Sequence, residues 1–445
     1  MRACAFRILL IGNILLQAAG VCANDQSIFA ARREALMKKI DGSVAVLQGA
    51  PETRAYTPFR QDNNFYYLTG VETPNALLMI DAAKRRTVLF LPARDEESES
   101  WEGPGLFTGP EARDVTGVDE VLEVSRFADE LDKCRNSLRA LYTPHSPEET
   151  AATSRDRALA HDSARQRDLW DGRISRQETF RQSLQAKLGT VSIKDLSPIL
   201  DGMRRVKDDQ EIERLRVAGR IGALGVREAM RSTRPEMHEY QVAAVAGFIY
   251  SWRGAQGPAF LPIVGSGPNS CFPHYTANTR RIENGDMVVM DFGADYRYYQ
   301  SDITRAFPAS GKFSEEQARI YQVVLDAQKA ALQEVRPGAT FGSIGDAARR
   351  VLKRSGYDRY LIHSVSHYIG MSTHDVGESE PFESGVVITV EPGVYMPEKN
   401  LGIRIEDMVL VTRDGYEILT GEAPKEIVEI EKLMSEKGFA EDIAR

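Results

Sequence analysis

Two of the three aspartates between residues 287 and 304, Asp291 and Asp302, are placed where a metal site could be built from them. Asp291 ends an apolar run, and Asp302 lies at the start of a second run that we expect to begin near Ser301. The pattern predicts a β-hairpin or a wider two-stranded ladder, which can bring such residues to within about 5 Å of each other. Carboxylates that close repel unless one is protonated or a divalent cation lies between them. Two solvated turn residues would produce the same pattern, so these positions alone leave the choice open.

Histidines are concentrated in a segment that also contains both of these aspartates. Of seven in the chain, four lie between residues 274 and 374, namely His274, His363, His367 and His374. The spacing of His363 and His367 predicts both imidazoles on one face of a helix. The segment lacks the glutamate of an HExxH motif, so the zinc-protease interpretation is rejected.

Two glutamates complete the set of residues that could bind a cation. Glu391 ends the apolar run 386–390, and a carboxylate at the end of a buried strand needs a partner. Glu406 lies in the run 403–410, where strand alternation predicts that it shares a face with Arg404. Taken alone, these two residues are more simply explained as a surface pair. Taken together, four carboxylates and one histidine favour hard or borderline ions such as Mn²⁺, and their charge favours two ions over one.

The elements that must position these residues fall into two groups. In the first half, a helix at 25–41, strands at 43–47, 76–80 and 87–91, and a strand and helix within 118–131 predict a small α/β domain. An exposed helical connection rich in alanine and charge follows at 146–181. In the second half, a helix is predicted to begin at residues 207–213 within the segment 199–230, and further helices are predicted at 240–252, 315–335 and 344–355. The predicted strands are 261–264, 287–290, 386–390 and 403–411. This second group predicts an α+β domain.

Composition and the N-terminus limit the function classes. The formal net charge of −8 argues against a nucleic-acid binder that works by bulk electrostatics. No apolar run reaches the roughly 18 residues of a membrane span. Arg2 and Arg7, the mostly apolar segment 8–19 and the small residues before Asn24 predict a signal peptide over residues 1–23, and hence a secreted or periplasmic protein. A buried N-terminal helix is the alternative, and a lipid anchor on Cys22 is disfavoured. Cleavage would leave two cysteines, Cys134 and Cys271, which could form at most one bridge.

The motifs together resemble the pita-bread metallopeptidases, in the branch of aminopeptidase P and prolidase. The resemblance is carried by Asp291, Asp302-Ile-Thr304, His363 to Gly370, Thr373 to Gly377, Thr389-Val-Glu-Pro-Gly393 and Ile403-Arg-Ile-Glu406. The stretch Phe59 to Gly70 is similar to the creatinase-like N-terminal domain of that branch. The implied fold class is α+β, with a pita-bread catalytic domain at 195–435. A smaller α/β creatinase-like domain, with its helical linker, is implied at 24–180.

The resemblance also implies a role for each candidate residue. Asp291, Asp302, His367, Glu391 and Glu406 would bind two divalent ions, with Mn²⁺ favoured and Asp302 bridging. A hydroxide bridging the ions would attack the peptide, and Glu391 would carry the proton. His274, His363 and His374 would face the substrate, and Arg404 would steady a ligand carboxylate.

The implied activity is an aminopeptidase that hydrolyses the N-terminal Xaa-Pro bond of peptides with proline in second position. The alternatives are a prolidase restricted to dipeptides, a creatinase-type hydrolase, and a non-catalytic binding module on the same fold. The resemblance further implies a homodimer or a homotetramer.

Overall fold

The computed structural model describes residues 26–53, 57–149, 151–152, 155–377 and 381–440. The expected signal peptide, residues 1–23, lies outside the described residues. The chain forms two compact units. One contains the described residues up to 149 and 155–201, and the other contains 151–152 and 202–440.

The first unit is built on a six-stranded mixed sheet with the order β4-β3-β2-β1-β5-β6. All five residues of the central strand β1 are buried, as expected for a strand that is covered on both faces. Valine, leucine and phenylalanine side chains from this sheet pack with Leu184 and Leu188 into the unit's core. The strands are β1 (Val44–Gln48), β2 (Leu77–Asp81), β3 (Arg86–Leu91), β4 (Glu120–Glu123), β5 (Leu141–Thr143) and β6 (Ile193–Asp195).

The helices of this unit connect and cover the strands. They are α1 (Gln26–Lys39), α2 (Asn63–Thr69), α3 (Glu96–Glu102), α4 (Pro110–Thr116), α5 (Phe127–Arg135), α6 (Arg155–Arg167) and α7 (Arg176–Leu188). The motif that starts at Phe59 contains α2, which is entirely buried and is capped by the Asp62 side chain accepting from Phe65 N. Helix α8 (Ser197–Arg205) follows, and the division between the units falls within it.

Among the described residues, five α-helices lie wholly within the second unit: α9 (Asp209–Ser232), α10 (Glu239–Trp252), α11 (Glu315–Gln333), α12 (Phe341–Arg354) and α13 (Ile427–Met434). Capping boxes at Asp208 and Glu211, and at Ser314 and Gln317, start α9 and α11 where the sequence predicts them. Their apolar faces pack on the strands around buried residues such as Tyr321 and Leu325.

The strands of the second unit form four small antiparallel sheets. Sheet β12-β9-β8 contains β8 (Ile263–Ser266), β9 (Met287–Asp291) and β12 (Thr304–Pro308). Sheet β11-β10-β7 contains β7 (Gly257–Pro258), β10 (Ala294–Tyr296) and β11 (Tyr299–Gln300). The other two sheets are β13-β16-β17, from β13 (Val387–Val390), β16 (Asp407–Val411) and β17 (Tyr416–Ile418), and β14-β15, from β14 (Gly393–Met396) and β15 (Leu401–Arg404).

The α+β fold class predicted from the sequence is confirmed, but three local expectations are wrong. The ladder of β9 and β12 forms, yet its second strand begins at Thr304 because the short β10–β11 hairpin is inserted between the two strands. The run 403–410 is not one strand, since it changes sheets at residues 405–406. The segment from His363 to His367 is irregular rather than helical, and Tyr368 bridges to Ile388 beside it.

Within the described part of the chain, no helix combines the length and the apolar character that crossing a bilayer requires. Cys134 and Cys271 are both buried free thiols.

Candidate metal centre

The ends of four strands carry the candidate ligands to one place in the second unit. Asp291 is the last residue of β9 and lies in register with Thr304, the first residue of β12. Asp302 comes two residues before β12, and Glu391 directly follows β13. Glu406 occupies the change of sheet between β15 and β16. Strand ends are suited to this task because their backbone is held by the sheets while their side chains remain free to converge.

The side-chain atoms of these residues approach each other closely. Asp302, His367 and Glu406 each offer one ligand atom within 4.8 Å of the other two. His367 Nε2 lies 3.6 Å from Asp302 Oδ2 and 3.5 Å from Glu391 Oε1. Asp291 is near enough for its charge to raise the pKa values of Asp302, Glu391 and Glu406. All five predicted ligands therefore face a common space.

The tautomer of His367 suits a metal ligand. Its Nδ1 lies 2.9 Å from the Tyr368 carbonyl, which can only accept, so Nδ1 carries the proton and Nε2 presents a lone pair to the carboxylates. Burial lowers the pKa of His367 to about 4, which keeps the ring neutral. The segment is irregular where the sequence predicted a helix, and this irregular backbone brings the Tyr368 carbonyl to His367 Nδ1.

Arg404 orients two of the carboxylates, one by a direct hydrogen bond and the other through Thr304. Its Nη2 donates to Asp291 Oδ2 at 2.6 Å, and its Nε donates to Thr304 Oγ1 at 3.0 Å. The Thr304 hydroxyl in turn donates to Glu406 Oε2 at 2.6 Å. The guanidinium is buried, so the alternative of an exposed Arg404–Glu406 surface pair is wrong.

The same guanidinium reaches His363 through Tyr395, a residue that the sequence analysis missed. Arg404 Nη1 donates to the Tyr395 hydroxyl at 2.8 Å, and this hydroxyl lies 2.8 Å from His363 Nε2. Because His363 Nδ1 lies 2.7 Å from the Ser364 carbonyl, Nδ1 carries the proton and Nε2 accepts from Tyr395. A tyrosine in the otherwise apolar strand β14 was the available signal, since a buried hydroxyl needs a partner.

The other two candidate histidines are exposed at the same site. The ring of His374 stacks on that of His367, with centroids 3.9 Å apart and planes 7° apart. His274 follows Pro273, whose carbonyl lies 3.4 Å from Arg404 Nη2, and its charge contributes to lowering the pKa of His363. Both imidazoles are thus available to solvent or to a bound molecule.

The electrostatics of the site favour a bound cation. Burial and mutual repulsion raise the pKa values of Asp302 and Glu406 well above their ordinary values, and burial together with Asp291 raises that of Glu391 to about 8. Among the described residues, Asp291 Oδ1 and Asp302 Oδ1 are buried and have no hydrogen-bond partner. Buried oxygens without donors are costly. Oxygen-rich sites of this kind, with one imidazole, fit divalent cations.

Metal-free protein is expected to lose thermal stability as the pH rises from about 6.5 to 8. Over this range the folded Glu391, with its pKa raised from 4.5 to about 8, holds a proton that the unfolded chain has released. The pKa values of His363 and His367 are lowered to about 4, so these two residues make the protein more stable as the pH rises. Their effect is confined to pH values below the ordinary histidine pKa of 6.5. Differential scanning calorimetry at pH 6.5, 7.25 and 8 checks this; a melting temperature that increases over the series contradicts it. With Mn²⁺ bound, the slope is expected to flatten.

Comparison with known proteins gives matches over most of the chain. Residues 213–413 match Metallopeptidase family M24, and residues 29–142 match Aminopeptidase P, N-terminal domain. The chain is 35% identical to the Xaa-Pro aminopeptidase of Haemophilus influenzae, over 85% of this chain and 89% of the relative. The Xaa-Pro dipeptidase of Pyrococcus furiosus is 37% identical over 55% of this chain and 70% of its own length. Zinc-substituted E. coli aminopeptidase P in complex with product has a TM-score of 0.79 at 32% identity, covering 92% of this chain and 98% of that chain.

Proposed function

This chain belongs to metallopeptidase family M24, in the branch of the Xaa-Pro aminopeptidases, and we propose that it hydrolyses the bond between an N-terminal residue and a proline in second position. The observation that carries the proposal is the cluster of Asp302, His367 and Glu406, flanked by Glu391 and Asp291. Residues 29–142 match the aminopeptidase P N-terminal domain, whereas the similarity to the dipeptidase relative extends over only 55% of this chain. This difference favours an aminopeptidase over a dipeptidase.

Asp291, Asp302, His367, Glu391 and Glu406 would together hold two divalent cations, for which Mn²⁺ is our proposal. Bound cations of this kind supply Lewis acidity and activate water at neutral pH. Four carboxylates carry more negative charge than one divalent ion neutralises, which favours two ions. Titration of metal-free protein with Mn²⁺, followed by metal analysis, is expected to give two ions per chain, and a stoichiometry of one contradicts the dinuclear proposal.

The side chains themselves have distinct tasks. Glu391, whose Oε1 lies 3.5 Å from His367 Nε2, can take a proton from the attacking water and return it to the leaving proline nitrogen. His363 is held neutral and in one orientation by Ser364 and Tyr395. The exposed imidazoles of His274 and His374 can donate to the peptide carbonyl as its oxygen gains charge. A bond to proline has no N–H, so recognition must rely on such contacts and on the fit of the ring.

A peptide panel is expected to separate the two peptidase alternatives. The tripeptide Arg-Pro-Pro should be cleaved with a kcat/KM at least about 10-fold above that of the dipeptide Arg-Pro, which corresponds to about 1.4 kcal/mol in the transition state. Arg-Ala-Pro serves as the matched control and should be a poor substrate, because it lacks the proline ring in second position. Preference for the dipeptide would instead identify a prolidase.

Localisation and assembly extend the proposal. The positive, apolar and small-residue segments before Asn24 support export to the periplasm or the medium. N-terminal sequencing of the exported protein should begin at Asn24. We also propose a homodimer or homotetramer, which light scattering of the purified protein can distinguish.

A further inference from the structure

A fully buried arginine that is not among the candidate ligands contacts the backbone of one of them, Glu406. Arg305 on β12 has an exposed fraction of zero. Each of its five N–H groups has an acceptor. Nε donates to Pro424 O at 3.1 Å, Nη1 to Thr304 O at 2.9 Å and Glu406 O at 2.5 Å, and Nη2 to Asp407 Oδ1 at 2.7 Å and Ala423 O at 2.9 Å. A buried guanidinium satisfied at every donor holds its partners in one geometry.

Two of these acceptors belong to residues whose side chains form the site. The Thr304 carbonyl also accepts from Glu406 N at 3.1 Å, so Arg305 and this amide fasten the backbone of Glu406 to β12. The Thr304 hydroxyl contacts the Glu406 carboxylate. Asp302 precedes Arg305 by three residues on the same segment. The guanidinium therefore connects the two chain segments that carry two of the clustered ligands.

Arg305 contacts the backbone at a position that lies outside the strands. Residues 405 and 406 lie between β15 and β16, which belong to different sheets, so Glu406 has no strand ladder of its own. The guanidinium supplies a donor to the Glu406 carbonyl there. Without it, a buried carbonyl would lose its partner at the position that bears a ligand.

Asp407 anchors the guanidinium from the other side. Its carboxylate is fully buried and accepts from Thr420 Oγ1 at 2.9 Å, Gln328 Nε2 at 3.0 Å and Lys425 Nζ at 2.5 Å, in addition to Arg305. A charge pair this well hydrogen-bonded offsets the cost of removing both groups from water. The guanidinium bonds the backbone carbonyl of Glu406 rather than its carboxylate, and the pair is not required by the proposed proton transfers.

We propose that Arg305 is a positioning residue that sets the distance between the carboxylates of Glu406 and Asp302, and through it the affinity of the site for divalent cations. This inference rests on the proposed metal centre. Arg305 does not touch the ions or the substrate; it acts through the backbone of Glu406. Residues that orient metal ligands in this way typically contribute about 10- to 100-fold to metal affinity.

The test compares Mn²⁺ binding by isothermal titration calorimetry with the melting temperature of each metal-free variant. Arg305→Lys keeps the charge but cannot serve five acceptors, and it is expected to weaken Mn²⁺ binding by about 10- to 100-fold. Asp407→Asn leaves Arg305 with its four carbonyl partners and is expected to weaken binding less. The control Arg216→Lys alters a half-exposed pair with Glu417 on β17, and Val324→Ala weakens the core of α11. Neither control should change Mn²⁺ affinity.

The outcomes separate this inference from the proposed function. Weaker Mn²⁺ binding in Arg305→Lys, beyond that of Val324→Ala at a similar melting temperature, supports the positioning role. Wild-type affinity in a folded Arg305→Lys protein overturns it while leaving the metal centre intact. If Arg305→Lys does not fold, Asp407→Asn decides, and wild-type affinity in that variant overturns the inference. Failure of the wild-type protein itself to bind Mn²⁺ would instead refute the proposed binding of Mn²⁺ at this centre, whatever the variants do.

Discussion

Replacing Glu391 by glutamine is expected to lower kcat for Xaa-Pro cleavage by about 10²- to 10⁴-fold, the range of a lost general acid–base. Glutamine keeps the volume and one carbonyl oxygen but cannot exchange a proton. Glu391 Oε1 lies 3.5 Å from His367 Nε2, so its carboxylate borders the space that the ligand atoms share. Because the side chain faces the site rather than the core, the melting temperature of the metal-free protein should not fall.

Steady-state kinetics with Arg-Pro-Pro measures the effect of Glu391→Gln. The matched control is Glu398→Gln, which makes the same chemical change at an exposed glutamate seven residues further along the chain. Full activity in Glu391→Gln would exclude the proposed role of this carboxylate. Equal losses in both variants would indicate a general effect of losing a negative charge.

Replacing Asp302 by asparagine is expected to weaken Mn²⁺ binding by at least about 100-fold. Residues that only hydrogen-bond to metal ligands already contribute up to about 100-fold to metal affinity, and a direct ligand should contribute at least as much. Activity should fall with it. The same variant should stabilise the metal-free protein, because Asp302 is buried among Glu406, Asp291 and Glu391, whose charges all raise its pKa. Removing one carboxyl group relieves that repulsion. A gain of about 1 kcal/mol would raise the melting temperature by roughly 2–4 °C.

The opposite signs of these two effects make the experiment decisive. Calorimetric titration gives the affinity, and thermal unfolding above pH 7 without metal gives the stability. Asp414→Asn, at an exposed aspartate just after β16, is the control and should change neither quantity. Unaltered Mn²⁺ binding by Asp302→Asn would remove Asp302 from the ligand set. A lower melting temperature in the metal-free protein would mean that its carboxylate stabilises the fold.

Much of the fold followed from local patterns in the sequence. Apolar periodicity predicted the long helices α9 to α12 to within a few residues at their ends. The strand before Asp291 and the strand before Glu391 were also predicted, because each is a short apolar run that ends at a charged residue. These features depend on neighbours within a few positions, which a sequence displays directly.

Other features were out of reach of such patterns. The change of sheet at Glu406 looked like a single continuous strand, since alternation continues through it and only pairing partners distant in sequence reveal the break. The spacing of His363 and His367 suggested a helix, but pairing of Tyr368 with Ile388 holds the segment irregular. Tyr395 contacts His363, which lies 32 positions away in the sequence. Arg305 contacts Glu406, which lies 101 positions away.

The sequence by itself determined the chemical character of the site: four carboxylates and a histidine whose combined charge, once buried, calls for divalent cations. Only the tertiary structure decided which oxygen atoms are left for those cations. Arg404 takes one oxygen of Asp291 and Thr304 donates to one of Glu406, while Asp302 Oδ1 has no hydrogen-bond donor among the described residues. The physical reason is that charge belongs to the residue type, whereas the direction of a lone pair depends on backbone segments brought together by the sheets.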